Sequence, residues 1–264
     1  MVRSLITLTS DFGLKDPYVA EMKAVILSLC SDAVIVDVSH QVEKFNVRMG
    51  AYVLASASPF FPKGTIHVAV VDPGVGTRRR ALCIEAKGCV FLGPDNGLLV
   101  LAAKARGIDR VYEVTNRRLM LSTVSKTFQG RDVFCPVAAH LACGALPSDV
   151  GPETKRLLIP WFARVIRERY KLVGEVVYID DFGNVVTNIA EVDVESVDRA
   201  REVKLRVGRS GLLVGFCGAY ADVKPGEPVV LIGSHGFLEI SVNQGSAERE
   251  LQVKVGDKVT VYRS

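Results

Sequence analysis

The amino-acid sequence predicts an α/β protein: an N-terminal α/β layered domain with a mostly parallel sheet, followed by a smaller C-terminal β-barrel domain. In the first part of the chain, short apolar runs alternate with longer stretches of helical spacing, which is typical of a sheet covered by helices. A proline-rich stretch interrupts this rhythm, and beyond it short β-rich runs alternate with turn residues, as in small barrels. We expect the first domain over residues 1–160 and the second over 171–264.

The elements of the first domain follow from where its apolar residues cluster. Pro17 suits the first turn of a helix, and Gly144 suits the position just after a helix end. Apolar residues at helical spacing predict helices at Pro17–Leu29, Asn46–Ala57 and Asp132–Cys143. Short apolar runs predict strands at Leu5–Thr9, Ala33–Val38, Ile66–Val71, Ala81–Ala86 and Val90–Leu92.

The second domain is expected to begin after the stretch Leu146–Tyr170, which contains Pro147, Pro152, Pro160 and the only tryptophan, Trp161. Prolines at this density break both helix and strand, so we place the domain boundary there. Seven β-rich runs, separated by Gly, Asp, Asn and Pro, predict the strands of the barrel: Gly174–Ile179, Val185–Ile189, Val203–Val207, Leu212–Cys217, Pro228–Ile232, Leu238–Val242 and Lys258–Tyr262.

Composition and charge argue against several classes of protein. With 48% hydrophobic and 23% charged residues the chain has the balance of a globular protein, and its net charge of +4 is too small to indicate nucleic-acid binding. No apolar stretch reaches the roughly 18 to 20 residues of a membrane span, and the start carries no secretory signal, so we expect a cytoplasmic protein without a membrane partner. The six cysteines and four histidines show no metal-ligand spacing, so we expect buried free thiols and no metal.

Polar residues follow the predicted strands, at the positions where ligands collect in an open α/β sheet. Asp11 comes after the first strand, with Asp16 and Tyr18 shortly beyond it, and Asp72 follows the third strand ahead of a run of three arginines at 78–80. Each loop also has a simpler explanation. Asp11 suits a helix cap, and the Asp72 loop suits a Gly-Pro turn with a solvated basic tip.

Two further loops could carry binding groups. The loop 125–132 runs into a predicted helix, whose first amides attract polar or anionic groups, and Asp132 is expected to cap that helix. In the second half, a tight turn brings two adjacent carboxylates, beginning at Asp180, close to Phe182 and Asn184. This set suits a purine and a cationic amine, whereas its spacing alone favours a β-hairpin corner.

Taken in order along the chain, these loops resemble the S-adenosyl-L-methionine (SAM) hydroxide adenosyltransferase family, the hydrolytic relatives of the fluorinating and chlorinating adenosyl enzymes. The resemblance spans nearly the whole chain. Any one motif of this kind is weak, whereas six in order are specific. The motifs that carry it are Ser10-Asp11-Phe12-Gly13, residues 71–77, 93–97 and 127–132, Asp181-Phe182-Gly183-Asn184 with Thr187-Asn188, and residues 243–247.

The resemblance implies a reaction in which water or hydroxide attacks the ribose 5′ carbon of SAM, giving adenosine and L-methionine without a cofactor. It also implies a homotrimer, with active sites between the first domain of one subunit and the second domain of its neighbour. By position it implies Asp11 as the ligand of the ribose diol. The other implied substrate contacts are Asp16, Tyr18, Ser234 and either Asp180 or Asp181 at the methionine end, Phe182, Asn184 and Ala247 at the adenine, and Thr127 with Phe128.

The implied nucleophile site departs from the family pattern at one position. Members place an Asp, an Arg and a His around the attacking water; Asp72 and Arg79 match the first two, and Gln129 occupies the third. An amide does not titrate near neutral pH, so Gln129 can position a water but cannot act as its base. The chain could be a variant that traps a complex, a natural member in which Asp72 and Arg79 suffice, or a member that has lost turnover. We expect slow hydrolysis.

Three alternatives to a SAM hydrolase remain open at this point. A halide-using member of the same family is the nearest, but those relatives carry aromatic residues at the positions of Asp72 and Gln129, and a carboxylate repels a halide. A non-catalytic SAM- or adenosine-binding protein would keep the pocket without turnover. The acidic loops with Asp11, Asp72 and Asp95 also suit a metal-dependent hydrolase.

Overall fold

The computed structural model describes residues 4–194 and 202–262. Contacts between Cα atoms divide the chain into two compact units, Met1–Ile159 and Pro160–Ser264. Each unit has its own hydrophobic core and its own sheet. No helix of the described residues has both the length and the apolar character needed to cross a membrane.

A six-stranded, mostly parallel sheet forms the centre of the first unit, in the order β2-β1-β3-β5-β4-β6. The four strands β2, β1, β3 and β5 pair in parallel, so their carboxyl ends lie at one edge of the sheet, while β4 pairs antiparallel with both β5 and β6. The predicted α/β class is therefore confirmed. The strands are β1 (Leu5–Ser10), β2 (Val34–Ser39), β3 (Ile66–Val70), β4 (Ala81–Ala86), β5 (Cys89–Pro94) and β6 (Ile108–Glu113).

Helices cover this sheet, and α1 packs against the last of them, α4. Asn46 caps α2, because its side chain accepts a hydrogen bond from the Met49 amide at 3.0 Å. Their bounds are α1 (Tyr18–Leu29), α2 (Val47–Ala57), α3 (Val100–Arg106) and α4 (Cys135–Ala142).

The helix predicted from Asp132 differs from the structure at its start. A π-helical turn occupies Gly130–Phe134, in which the Cys135 amide donates to the Gly130 carbonyl, and α4 begins only at Cys135. Asp132 is not a cap: it lies inside the π turn, is 1% exposed, and accepts hydrogen bonds from Arg131 and from the Ser125 amide. The same apolar spacing fits both helix types, so the sequence pattern does not separate them.

An antiparallel sheet that nearly closes into a barrel forms the second unit, as predicted, in the order β11-β10-β14-β8-β9-β13-β12. A bridge between Phe216 and Val230 joins the two ends of this order. A short helix, α5 (Ala247–Leu251), lies between the last two strands in sequence. The strands are β7 (Ile166–Glu168), β8 (Lys171–Ile179), β9 (Val185–Ala190), β10 (Glu202–Val207), β11 (Ser210–Gly215), β12 (Pro228–Ile232), β13 (Phe237–Val242) and β14 (Lys258–Tyr262).

The cysteines are all free, as expected, but they are not all buried. Cys143 is exposed just after α4, and Cys217 is half-buried. Burial raises the pKa of Cys83 and Cys135. The expectation of buried thiols is therefore correct for four cysteines and wrong for Cys143 and Cys217.

Candidate active site

A cavity of about 420 Å³ opens at the edge of the first unit where the parallel strands end. Asp11 enters it directly after β1, and Asp72 enters it just after β3. This placement follows from the sheet topology, because the carboxyl ends of parallel strands meet at one edge. Six of the predicted site residues line the cavity: Asp11, Tyr18, Asp72, Thr127, Phe128 and Gln129.

Asp72, Arg79 and Gln129 form one hydrogen-bonded group at the cavity wall. Arg79 Nε lies 2.9 and 3.1 Å from the two carboxylate oxygens of Asp72, and Arg79 Nη2 also pairs with this carboxylate. The same Nη2 donates to Gln129 Oε1 at 2.6 Å. A guanidinium has only donors, so the amide oxygen of Gln129 must face Arg79, and its NH2 group remains available as a donor. The Asp72 and Arg79 side chains are only 5% and 11% exposed, which strengthens their attraction.

Two of the three arginines of the Asp72 loop, Arg79 and Arg80, do not belong to the solvated tip that their spacing suggested, whereas Arg78 is exposed. Arg80 pairs with Asp95 at 2.5 Å and donates to the Arg156 carbonyl at 2.8 Å, so the loop is tied to the rest of the unit. Gly76 has a φ of +80°, and a Cβ on it would lie 2.7 Å from the Lys126 carbonyl oxygen. The Asp72 loop and the loop before Gln129 therefore touch through backbone, at a position that tolerates only glycine.

Asp11 is 6% exposed and does not cap α1, whose cap position holds Pro17 without a side-chain hydrogen bond. Instead, its Oδ2 accepts from the Phe45 amide at 2.8 Å, and its carbonyl accepts from Lys44 Nζ at 2.5 Å. A carboxylate offers about four acceptor positions, so this one amide leaves acceptor capacity for a ligand. The helix-cap explanation of Asp11 is wrong.

Three aromatic rings, Phe12, Tyr18 and Phe128, make a contiguous apolar wall of the cavity. Their ring centroids lie 5.2 to 5.7 Å apart in tilted and edge-on arrangements. The Arg131 guanidinium lies over Phe128, 4.9 Å from its centroid, and pairs with both Glu21 and Asp132. These contacts fix the ring of Phe128 next to Gln129.

The second unit carries its own open cavity of about 800 Å³, lined by Asp180, Phe182, Asn184 and Tyr220 among others. The Asp180 carboxylate holds the turn together: it accepts from the amides of Phe182 and Asn184 at 3.0 and 2.9 Å and from Asn184 Nδ2 at 2.9 Å. Phe182 is 80% exposed, and Asp181 is exposed beside it. A Cβ on Gly183 would lie 2.1 Å from Ser246 Oγ, which brings this turn against the start of α5.

Some predicted residues do not line either cavity within the described part of the chain. Arg79 pairs with the lining residues Asp72 and Gln129 without lining the cavity itself, Asp16 and Ser234 are exposed on loops, and Ala247 is fully buried at the start of α5. Conversely, the prediction missed Lys44 and Phe45, which line the first cavity. They follow the carboxyl end of β2, so the rule that located Asp11 and Asp72 would also have found them. No group of three or more His, Cys, Asp or Glu side chains among the described residues is arranged to hold a metal ion.

Known proteins resemble this chain along nearly its whole length. The family models described as the N-terminal and C-terminal domains of SAM hydroxide adenosyltransferase match residues 6–151 and 174–260. An (R)-S-adenosyl-L-methionine hydrolase from Salinispora tropica is 41% identical over 97% of each chain, and a fluorinase from Nocardia brasiliensis is 30% identical over 98% of this chain and 97% of its own. A crystal structure of an uncharacterized conserved protein from Thermotoga maritima is 42% identical, covers 98% of this chain and all of its own, and superposes with a TM-score of 0.85. The chain belongs to the SAM hydroxide adenosyltransferase family.

Proposed function

We propose that this protein hydrolyses SAM, with water attacking the ribose 5′ carbon. The carbon–sulfur bond breaks as the carbon–oxygen bond forms, its electron pair stays on sulfur, and the products are adenosine, L-methionine and a proton. Because the sulfonium leaves as a neutral thioether and needs no protonation, we propose no cofactor. The observation that carries the proposal is the group Asp72–Arg79–Gln129 at the wall of the cavity that also holds Asp11.

In this proposal, the three grouped residues prepare the water. The Asp72 carboxylate, although paired with Arg79, keeps lone pairs that accept a proton or hydrogen bond from the water. The NH2 group of Gln129 donates to the water oxygen and so fixes its position, while Arg79 stabilises negative charge as hydroxide character develops. Gln129 takes no proton, so any base catalysis rests on Asp72.

Substrate binding divides between groups that the structure presents in each unit. We propose that Asp11 binds the ribose diol, that Tyr18, Thr127 and Phe128 enclose the sulfonium end, and that Asp16 and Ser234 contact the methionine. We propose Phe182, Asn184 and Ala247 for the adenine. For the methionine amine we propose Asp181 rather than Asp180, because the oxygens of Asp180 already accept three hydrogen bonds within the turn.

We also propose that the protein acts as a cytoplasmic homotrimer, with each adenosyl ligand bound by the Asp11 cavity of one subunit and the Phe182 cavity of its neighbour. The support is that each cavity alone offers only part of what SAM requires. The six free cysteines suit a reducing compartment.

The reaction is tested by incubating the protein with SAM in ¹⁸O-labelled water and analysing the products by mass spectrometry. We expect the label in the 5′-hydroxyl of adenosine and none in methionine, and adenosine formed without label would contradict attack by water at the 5′ carbon. Adenosine or SAM binding with no product over hours would instead identify a non-catalytic binding protein. Formation of 5′-chloroadenosine in added chloride would identify a halide-using enzyme.

The role of Gln129 is tested by the variant Gln129→His. A titratable imidazole adds a base, and base catalysis typically contributes about 10²- to 10⁴-fold, so we expect faster adenosine release than in the unaltered chain. Equal rates would show that Asp72 and Arg79 suffice. Asp72→Asn in the unaltered chain is the matched control, since it removes the base that the proposal assigns there and keeps the size of the side chain, and we expect it to slow adenosine release.

A further inference from the structure

A chain of contacts runs from the surface of the first unit to the loop that carries Asp11. Lys23 Nζ lies 2.6 Å from Asp37 Oδ2. Asp37 Oδ1 lies 3.1 Å from His40 Nε2, at an angle that makes this an electrostatic contact and not a hydrogen bond. His40 Nδ1 lies 2.7 Å from Ser10 Oγ, and Ser10 Oγ accepts from the Phe12 amide at 3.3 Å. The chain thus ends on the backbone on the far side of Asp11.

The order Ser–His–Asp is that of a nucleophilic triad, but the burial of the hydroxyl rules out this use. Ser10 is 0% exposed and His40 is 4% exposed, so no substrate carbon can reach the serine oxygen. What the hydroxyl does reach is the Phe12 amide. The contacts of Ser10 and His40 therefore constrain the backbone of the loop that carries Asp11.

The charges determine which atoms donate and which accept in this series of contacts. Burial alone would raise the pKa of Asp37, but the neighbouring Lys23 and His40 side chains outweigh it and lower the pKa overall, so the carboxylate is charged. A carboxylate beside Nε2 favours the tautomer with its proton there, which leaves Nδ1 as an acceptor. Nδ1 then accepts a hydrogen bond from the Ser10 hydroxyl. This orients a lone pair of Ser10 Oγ toward the Phe12 amide.

We propose that His40 and Ser10 are positioning residues for ribose recognition, holding the backbone on both sides of Asp11 so that its carboxylate meets the ribose diol. The backbone supports this, because the His40 carbonyl also accepts from the Gly13 amide at 2.8 Å. Two contacts to His40, just beyond β2, thereby anchor residues 10 to 13, one on each side of Asp11. The inference rests on the proposed function only in taking Asp11 as the ribose ligand.

The test measures adenosine binding by calorimetry, which does not depend on turnover. We expect Ser10→Ala to raise the Kd for adenosine about tenfold, the cost of misplacing one good hydrogen bond. For 2′,3′-dideoxyadenosine, which lacks the diol, we expect Ser10→Ala to change the Kd less than about twofold. A merely structural role would weaken the binding of both nucleosides equally.

Two sets of variants separate positioning from general damage. Thr7 offers a matched control in the same strand, because its Oγ1 lies 2.8 Å from Nδ1 of the buried His67, so Thr7→Val also breaks a hydroxyl–histidine pair but away from the loop. We expect Thr7→Val to lower Tm and leave the Kd for adenosine unchanged. His40→Asn, whose amide oxygen can replace Nδ1 as the acceptor, should bind adenosine more tightly than His40→Gln, which cannot.

The outcomes are distinguishable. An unchanged Kd for adenosine in Ser10→Ala, an equal loss for both nucleosides, or an equal effect of Thr7→Val would overturn the role of His40 and Ser10. Failure of the unaltered protein to bind adenosine or SAM would instead overturn the proposed function, and this inference with it.

Discussion

Acid should destabilise the first unit through one buried imidazole, that of His67. The ring is 0% exposed, stacks on Phe91 with centroids 4.8 Å apart, meets Phe61 edge-on and shares a hydrogen bond with Thr7. Burial lowers the pKa of His67 from 6.5 to about 4, and the positive charge of Arg106 adds to this. The folded protein therefore keeps this imidazole neutral at a pH where the unfolded chain binds a proton.

The sign and size of the effect follow from linkage. Between pH 6.5 and about 4 the unfolded state binds more protons at this site, so the free energy of unfolding falls as pH falls through that window. The contribution of the neutral His67 ring to the free energy of unfolding is complete above pH 6.5 and fully lost below about pH 4. At about 1.4 kcal/mol for each unit of pKa, the loss amounts to about 3 kcal/mol, a large part of a typical domain stability.

Urea unfolding followed by circular dichroism at pH 7, 6, 5 and 4 measures this loss directly. His67→Gln is the informative variant, because an amide does not titrate. We expect it to be less stable than the unaltered protein at pH 7, owing to lost ring packing, but to lose about 3 kcal/mol less on going to pH 4. His140→Gln, at a half-buried position in α4, is the control. Parallel stability curves for the unaltered protein and His67→Gln would refute the reasoning.

Three further predictions follow from contacts in each unit. Gly76→Ala should lose more stability and activity than Gly64→Ala: both glycines have positive φ, but only at Gly76 does a Cβ meet backbone, so equal losses would contradict the contact. Mixing Asp11→Ala with Asn184→Ala subunits should restore adenosine release if sites are shared between neighbours, and mixtures that stay inactive after subunit exchange would argue against sharing. Iodoacetamide should label the exposed Cys143 in the native protein and spare Cys83, whose pKa is raised by burial. Mass spectrometry of the peptides measures the labelling, and label on Cys83 but not on Cys143 would contradict the burial of these two thiols.

Much of the fold could be predicted because its central strands are continuous apolar runs. The runs at β1, β3, β4 and β5 are almost wholly buried. A continuous apolar run can be recognised in the sequence without knowing which strands lie beside it. The strand β6 was missed because it lies at the sheet edge, where half of its residues stay polar. Burial thus accounts for the prediction of these four strands, whereas the edge strand β2 has no buried residue and was predicted from its apolar run alone.

The site was predictable only in part, for a related reason. Asp11 and Asp72 were found because parallel strands deliver their last residues to one edge. The pairing of Arg80 with Asp95 was not found, because it depends on β4 lying antiparallel to β5 with Ala81 opposite Pro94, a register that no local pattern encodes.

The π turn at Gly130–Phe134 places a constraint on the length of the chain as well as on its residues. A π turn holds one residue more than an α turn over the same rise, and each residue of an α-helix turns the chain by about 100°. Deleting one residue here would restore a regular helix without unfolding α4. It would also rotate Gln129 about the helix axis, away from the Arg79 guanidinium that it now contacts. A chain shortened by one residue here would thus keep its fold and every functional side chain, but Gln129 would no longer face Arg79.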